Sequence, residues 1–249
     1  MMMTLTDEIK EMALDVGFKG VGITSPDRMT DLPKGWIADV INLKTPEEEL
    51  HGTKSVIMLT FHSWDRAFYM QIDPPEGKEY FNKEDDPEGY YISYMVSRAK
   101  AWPLVSYLMK KGFEAKLSTR IPMKTTAIKA GIGPQGKNTL LIHPEYGPRL
   151  GLMSILTDAE LELDTPYVGD LCGDCTRCID ACPPKALHPF GITINRCLGY
   201  ASENPGNDDV PQDVRELEVK LIVRPTKNSY IECSICADVC PIGRELRRE

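Results

Sequence analysis

Residues Cys172 to Pro183 read C-G-D-C-T-R-C-I-D-A-C-P, and the chemistry such a run can do is thiolate ligation. Three cysteines at intervals of three, then a fourth four residues on and followed by proline, is the bacterial spacing for an iron–sulfur cluster. A cubane wants thiolates at its iron corners, and a tight turn with a cysteine every third residue wraps three sulfurs around one side. The fourth cysteine of such a run usually serves a different cluster, so a second cluster is predicted. Cys233-Ser-Ile-Cys236-Ala-Asp-Val-Cys240-Pro241 supplies a second run, and Cys197 lies between the two. The chain has 8 cysteines, the number that two four-thiolate clusters need. The Cys-Pro pattern implies a crossed assignment. Cys172, Cys175, Cys178 and Cys240 would hold one 4Fe–4S cluster, and Cys182, Cys197, Cys233 and Cys236 the other. Zinc is the main rival, because cysteine pairs two residues apart also suit a tetrahedral ion. Zinc sites seldom place four ligands in one such run with a terminal Cys-Pro. A disulfide framework fits a long chain without a secretory signal less well still.

Those ligands need a scaffold, and composition bounds it. At 249 residues, with 42% apolar and 27% charged residues, the chain allows one or two ordinary domains with ample core. A net charge of −8 argues against a general nucleic-acid binder, whose footprint is a basic face. Met1 to Thr6 shows no basic leader or twin arginine, and no stretch approaches the ~18 continuous apolar residues of a membrane helix. A reducing cytoplasm is the expected compartment, with no membrane association. All the cysteines follow residue 171, which predicts a cysteine-free body over 1–165 and a cluster-bearing module over 166–249.

In the body, Leu5, Ile9, Met12, Ala13 and Val16 recur at helical spacing, with Gly17 placed to stop that helix. Phe18 to Thr24 alternates like a strand. Residues 25–54 read as connections plus a short helix near Trp36. Ser55 to Phe61 is a continuous apolar run of strand length, expected to be buried on both faces. His62 to Gly89 is polar, either a solvated loop or a lid. Tyr90 to Gly112 reads as a long helix with Tyr94, Met95, Ala101, Val105 and Leu108 on its apolar face, kinked or restarted at Pro103. Phe113–Leu117 and Leu150–Leu156 are expected strands, and Thr125–Ala130 a short helix. Residues 199–215, with Asn204-Pro-Gly-Asn-Asp-Asp, read as a surface excursion.

Ala130 to Arg149, A-G-I-G-P-Q-G-K-N-T-L-L-I-H-P-E-Y-G-P-R, is the second informative stretch. Gly131, Gly133 and Gly136 let the backbone approach something closely, and Lys137 and Asn138 add a cation and an amide. The lysine lacks the upstream glycine spacing of a P-loop, and no convincing strand precedes G-I-G-P-Q-G as a dinucleotide fingerprint requires. By itself the stretch is a loop before a strand.

The order A-G-I-G-P-Q-G-K-N-T-L-L-I, a strand ending Thr157-Asp158, the first cysteine run, a lone cysteine and the second run resembles epoxyqueuosine reductase. His143-Pro-Glu-Tyr-Gly-Pro-Arg149 is similar to the related reductive dehalogenases. Gly20-Val-Gly-Ile-Thr24 and Gly52-Thr-Lys-Ser-Val-Ile57 also resemble the epoxyqueuosine reductase body. The resemblance implies an α+β fold: a nitroreductase-like α/β body followed by a bacterial-ferredoxin-like module with two 4Fe–4S clusters. It also implies cobalamin, held near Gly131, Gly133, Gly136, Lys137, Asn138 and Leu141. The family's catalytic aspartate, a proton donor, maps to Ser118 and Thr119, and a hydroxyl is a far weaker acid. The family's tRNA-binding helical-repeat tail has no counterpart after Cys240.

Two functions follow as expectations. One is a corrinoid-dependent reductase, fed by a low-potential donor of ferredoxin or flavodoxin type and acting on a small molecule. Its protons or electrostatic stabilisation would come from among Tyr90, Tyr91, Tyr94, Lys124, Lys137 and Arg149. The other is an electron-transfer protein that reduces an acceptor protein and has no substrate of its own; a flavin-containing body is a third form. His51, His62, His143 and His188 are scattered, and structural roles or donors to cluster sulfur suit them best.

Overall fold

A capping box starts the chain: the Thr4 hydroxyl accepts from the Asp7 N–H at 3.2 Å, and the Asp7 carboxylate accepts from the Thr4 N–H at 3.1 Å. The computed structural model describes residues 3–29, 43–63, 65–72, 92–227 and 229–245. Its helices and strands, in chain order, are α1 (Leu5–Asp15), β1 (Gly20–Thr24), α2 (Pro46–Glu49), β2 (Ser55–His62), β3 (Met70–Ile72), α3 (Ile92–Lys110), β4 (Ala115–Ser118), α4 (Met123–Lys129), β5 (Leu150–Thr157), α5 (Arg177–Ala181), β6 (Leu187–His188), β7 (Gly191–Ile192), α6 (Leu198–Glu203), α7 (Gln212–Leu221), β8 (Val223–Thr226), β9 (Ser229–Ile231) and α8 (Ile235–Asp238). The expected helix near Trp36 lies outside the described residues. Packing divides the chain into two units.

The first unit comprises Met1–His62, Val96–Pro134 and Leu150–Gly169. Its sheet has the order β1-β2-β5-β4, antiparallel throughout. The apolar run of β2 lies between β1 and β5, and Ile57 is flanked by Ile23 on one side and Ile155 on the other. All three are fully buried, which is why this strand lacks alternation.

Helix α3 runs unbroken through Pro103. Its buried residues are Ser93, Ser97, Ala101, Leu104, Val105 and Leu108, whereas Met95 is 42% exposed. The expected face was therefore wrong at Met95. Small residues at i, i+4 and i+8 make the inner stripe of the first half, and a reading by hydrophobicity alone passes over serines.

The second unit comprises Ser63–Met95, Gln135–Arg149 and Asp170–Glu249. Part of the expected loop or lid is ordered structure. The Asp65 carboxylate accepts from the Ala67 N–H at 2.8 Å, a 3-10 turn follows over Arg66–Tyr69, and β3 pairs antiparallel with β9. Residues 73–89 of that stretch, and Tyr90 and Tyr91, lie outside the described residues. The expected surface excursion at 199–215 is corrected too. Leu198, Ala201, Val210, Val214, Ile222 and Tyr230 form a small core there. The turn around Pro205–Asp209 is exposed and braced by the Arg215 guanidinium donating to the carbonyls of Ala201, Asn204 and Asn207. This core anchors α6, at whose start Cys197 sits, and β9, which leads into Cys233.

Candidate metal centre

Asp170 opens the first cysteine turn by accepting from the N–H groups of Cys172 (2.7 Å) and Gly173 (3.2 Å). The Cys175 N–H closes back on the Cys172 carbonyl at 3.0 Å. Cys178 rides on α5, and the second run delivers Cys240 just beyond α8. The thiols of Cys172, Cys175, Cys178 and Cys240 line one small cavity, with Ile142, Leu171, Pro241 and Ile242 as apolar walls and Lys137, Asn138 and Arg177 as polar ones.

The other four cysteines, all partly buried, lie outside that cavity's lining. Cys182 follows α5, Cys197 precedes α6, Cys233 follows β9 and Cys236 lies on α8. The thiols of Cys233, Cys197 and Cys182 act electrostatically on Cys236, as does Cys178 of the first set. Burial pushes the Cys197 thiol up to about 11, against N–H donors at Gly199 and Tyr200 that pull it down. It raises Cys233 as well, and Cys236 further. Buried thiolates are costly unless a metal compensates them. Among the described residues, no three His, Cys, Asp or Glu side chains converge closely enough to hold one ion. Thiols set around a cavity fit a multinuclear cluster, which places its iron corners between them, better than a single tetrahedral zinc.

The glycine loop divides between the units. Gly131 (φ +80°) belongs to the first, where a side chain would strike the Thr165 carbonyl at 2.5 Å. The adjoining Gly133 is buried in the same unit. Gly136 packs under Ile142, and Leu141 is buried and bridged to Gln135. The Lys137 N–H donates to Cys172 Sγ at 3.4 Å, and its ammonium donates to the Gly173 carbonyl at 2.5 Å. The Asn138 amide donates to the Cys236 carbonyl at 3.4 Å, and its Oδ1 accepts from the Leu140 N–H.

Arg149 is buried, ion-paired with Asp238 and stacked 5.8 Å from the Tyr69 ring. It thus braces α8 between Cys236 and Cys240. Tyr94 and Lys124 are half-buried on α3 and α4. His51 is exposed beside Glu47, His62 ends β2, and His188 is exposed in a tight hairpin. His143 Nδ1 accepts from the N–H groups of Glu145 and Tyr146, and burial lowers its pKa.

Three charges near the thiols were not singled out from sequence. Arg177 lines the first cavity; Glu232 acts on Cys197 and Cys233, and Arg66 on Cys233. Glu232 is next to Cys233 in sequence and so was findable. Arg66 lies far upstream, in a stretch that reads as loop.

In the first unit, the Ser118 hydroxyl donates to Glu49 at 3.1 Å and accepts from the Arg120 N–H. The buried Glu49 also faces Lys44 (3.6 Å), Lys116 (3.1 Å) and Arg120 (3.8 Å). Burial alone would raise its carboxyl, but the Lys116 and Ser118 hydrogen bonds and the nearby cations hold it below the ordinary range.

Residues 171–243 match the family described as a 4Fe-4S double cluster binding domain. Over 269 residues the chain is 30% identical to the epoxyqueuosine reductase of Aliivibrio fischeri, covering 97% of this chain and 67% of that protein. The chain belongs to the epoxyqueuosine reductase family. It superposes on the epoxyqueuosine reductase of Streptococcus thermophilus with a TM-score of 0.70 at 24% identity, over 97% of this chain and 67% of that one. A reductive dehalogenase structure, described as suggesting a mechanism for B12-dependent dehalogenation, shares the fold at TM-score 0.62 and 15% identity, over 97% of this chain and 33% of that one. The epoxyqueuosine reductase family, the mixed α/β fold and the double 4Fe–4S domain therefore stand, and with them the class of iron–sulfur oxidoreductase; with the reductive dehalogenases the chain shares the fold. Among the described residues no helix is long and apolar enough to cross a membrane.

Proposed function

We propose that this chain is a cytoplasmic iron–sulfur reductase. It takes electrons from a low-potential donor of ferredoxin or flavodoxin type and passes them through two 4Fe–4S clusters to a bound corrinoid, which reduces a small-molecule substrate. The observation that carries the cluster part is the cavity shared by Cys172, Cys175, Cys178 and Cys240, thiols from both runs. Cys182, Cys197, Cys233 and Cys236 would hold the second cluster. Clusters so held supply one-electron transfer. The chain's own share is to provide the thiolates, exclude water with Ile142, Leu171 and Ile242, and brace α8 through Arg149.

The corrinoid part is supported by family kinship and by the B12-linked fold neighbour. One observation favours a second reading, an electron-transfer protein without its own substrate. Ser118, where the family's acid is expected, is locked onto an ionised Glu49, so neither group is a ready proton donor.

Anaerobic cobalamin binding separates the two. With clusters reconstituted and excess cofactor removed, the reductase reading expects stoichiometric cobalt with a base-off paramagnetic spectrum. Intact clusters with no retained cobalt would overturn the corrinoid part and favour the carrier.

A further inference from the structure

The two thiol groups differ in the charges built around them, and a cluster's potential depends on net charge and on hydrogen bonds to its sulfurs. Lys137 touches the first group twice over. Its N–H donates to Cys172 Sγ at 3.4 Å, and its ammonium is held 2.5 Å from the carbonyl of the next residue, Gly173. Arg177, on the same cavity wall, adds a second cation, and together the two outnumber the Asp170 carboxylate that accepts from the Cys172 and Gly173 N–H groups. At the second group the prominent charge is the Glu232 carboxylate, which acts on both Cys197 and Cys233. Its Oε1 lies 3.1 Å from where a side chain on Gly199 would begin, beside Cys197. Arg66 offsets it at Cys233.

Resting on the ligand sets proposed above, we propose that Lys137 raises the potential of the cluster held by Cys172, Cys175, Cys178 and Cys240, making it the electron acceptor of the pair. Reduction adds one negative charge. A nearby ammonium and an N–H donor to sulfur stabilise the reduced form more than the oxidised one. A carboxylate at the second group does the opposite. Each transfer would then be a one-electron step, a cluster at the second set being oxidised as one at the first is reduced, with an external low-potential one-electron donor supplying the electron. No bond forms or breaks. Lys137 is a positioning residue in this scheme, since it touches a ligand and not the reacting iron.

The test is a paramagnetic-resonance redox titration of the full chain with both clusters reconstituted anaerobically. A Cys172→Ala variant first identifies the signal belonging to the first group. Lys137→Gln keeps the backbone donor and removes the charge. It should shift the electron partition between the clusters about tenfold toward the second, about 59 mV for a one-electron couple. Only the higher-potential signal should move, and Lys137→Arg should restore it. An unmoved signal, or movement of the lower-potential one, would overturn the proposal. If Lys137→Gln fails to load, Glu232→Gln decides the matter: the proposal expects the lower-potential signal to rise and the gap to narrow, and an unchanged gap refutes it. Cys172→Ala and Cys197→Ala variants that lose the same signal would refute the ligand sets and overturn the proposal with them.

Discussion

The two thiol groups share two short helices, α5 and α8, yet they sit in different surroundings. The first lies around a cavity walled by Ile142, Leu171 and Ile242 and edged by Lys137 and Arg177. At the second, burial raises Cys197, Cys233 and Cys236, where at the first it raises Cys178, and a carboxylate lies alongside. Two runs of nearly equal spacing thus make unequal sites. Local spacing sets what can bind, and the packing around it sets the electrostatic terms.

The sharpest way to break the comparison is Cys197→Ser. Wild-type protein should carry about eight iron and eight acid-labile sulfide, two cubanes' worth. The variant should keep about half, with the first group's resonance signal intact. Retention of both signals would remove Cys197 from the second group.

Arg149→Met comes next, because it removes the guanidinium from the partly buried Asp238, leaving it the Ser234 hydroxyl, and frees the helix shared by both groups. Breaking a buried pair from one side costs about 3 kcal/mol. Denaturant unfolding should show that loss, and iron content should fall in both groups together. A fall confined to one group would mean that α8 is not a common brace.

Gly147→Ala should act more narrowly. Gly147 has φ +67°, and a side chain there would meet the Ile242 carbonyl at 2.1 Å. The left-handed backbone alone costs about 1–2 kcal/mol. Because Ile242 walls the first cavity, the loss should appear as weaker loading of the first group only, read from resonance intensities after reconstitution.

The smallest expected effect is kinetic. Under an iron chelator, the first group should lose its signal severalfold sooner than the second, where burial raises three of the four thiols. Simultaneous loss would mean that this desolvation does not govern access.

Much of the scaffold was legible in the residues. The apolar run of β2 reads as a strand buried on both faces because no polar residue interrupts it until Thr60 and His62. The glycine that stops α1 is equally plain, having φ +95° at Gly17. Less legible was α3, whose inner stripe begins with Ser93 and Ser97; small residues bury without announcing themselves. Residues 66–72 looked like polar loop, because a short strand such as β3 is stabilised by its partner β9 and not by its own composition. Lys137 drew notice as a cation in a glycine loop, but its position beside Cys172 was not readable from the loop alone.

The sequence by itself determined the metal chemistry and the family, because ligand spacing within a turn is a local property and motif order runs along the chain. Only the tertiary structure decided which thiols share a cavity and which charges face them. Lys137, Arg149 and Arg66 reach the cysteine region from well upstream in the chain. Coulomb forces and burial depend on distance in space, and linear spacing does not record it.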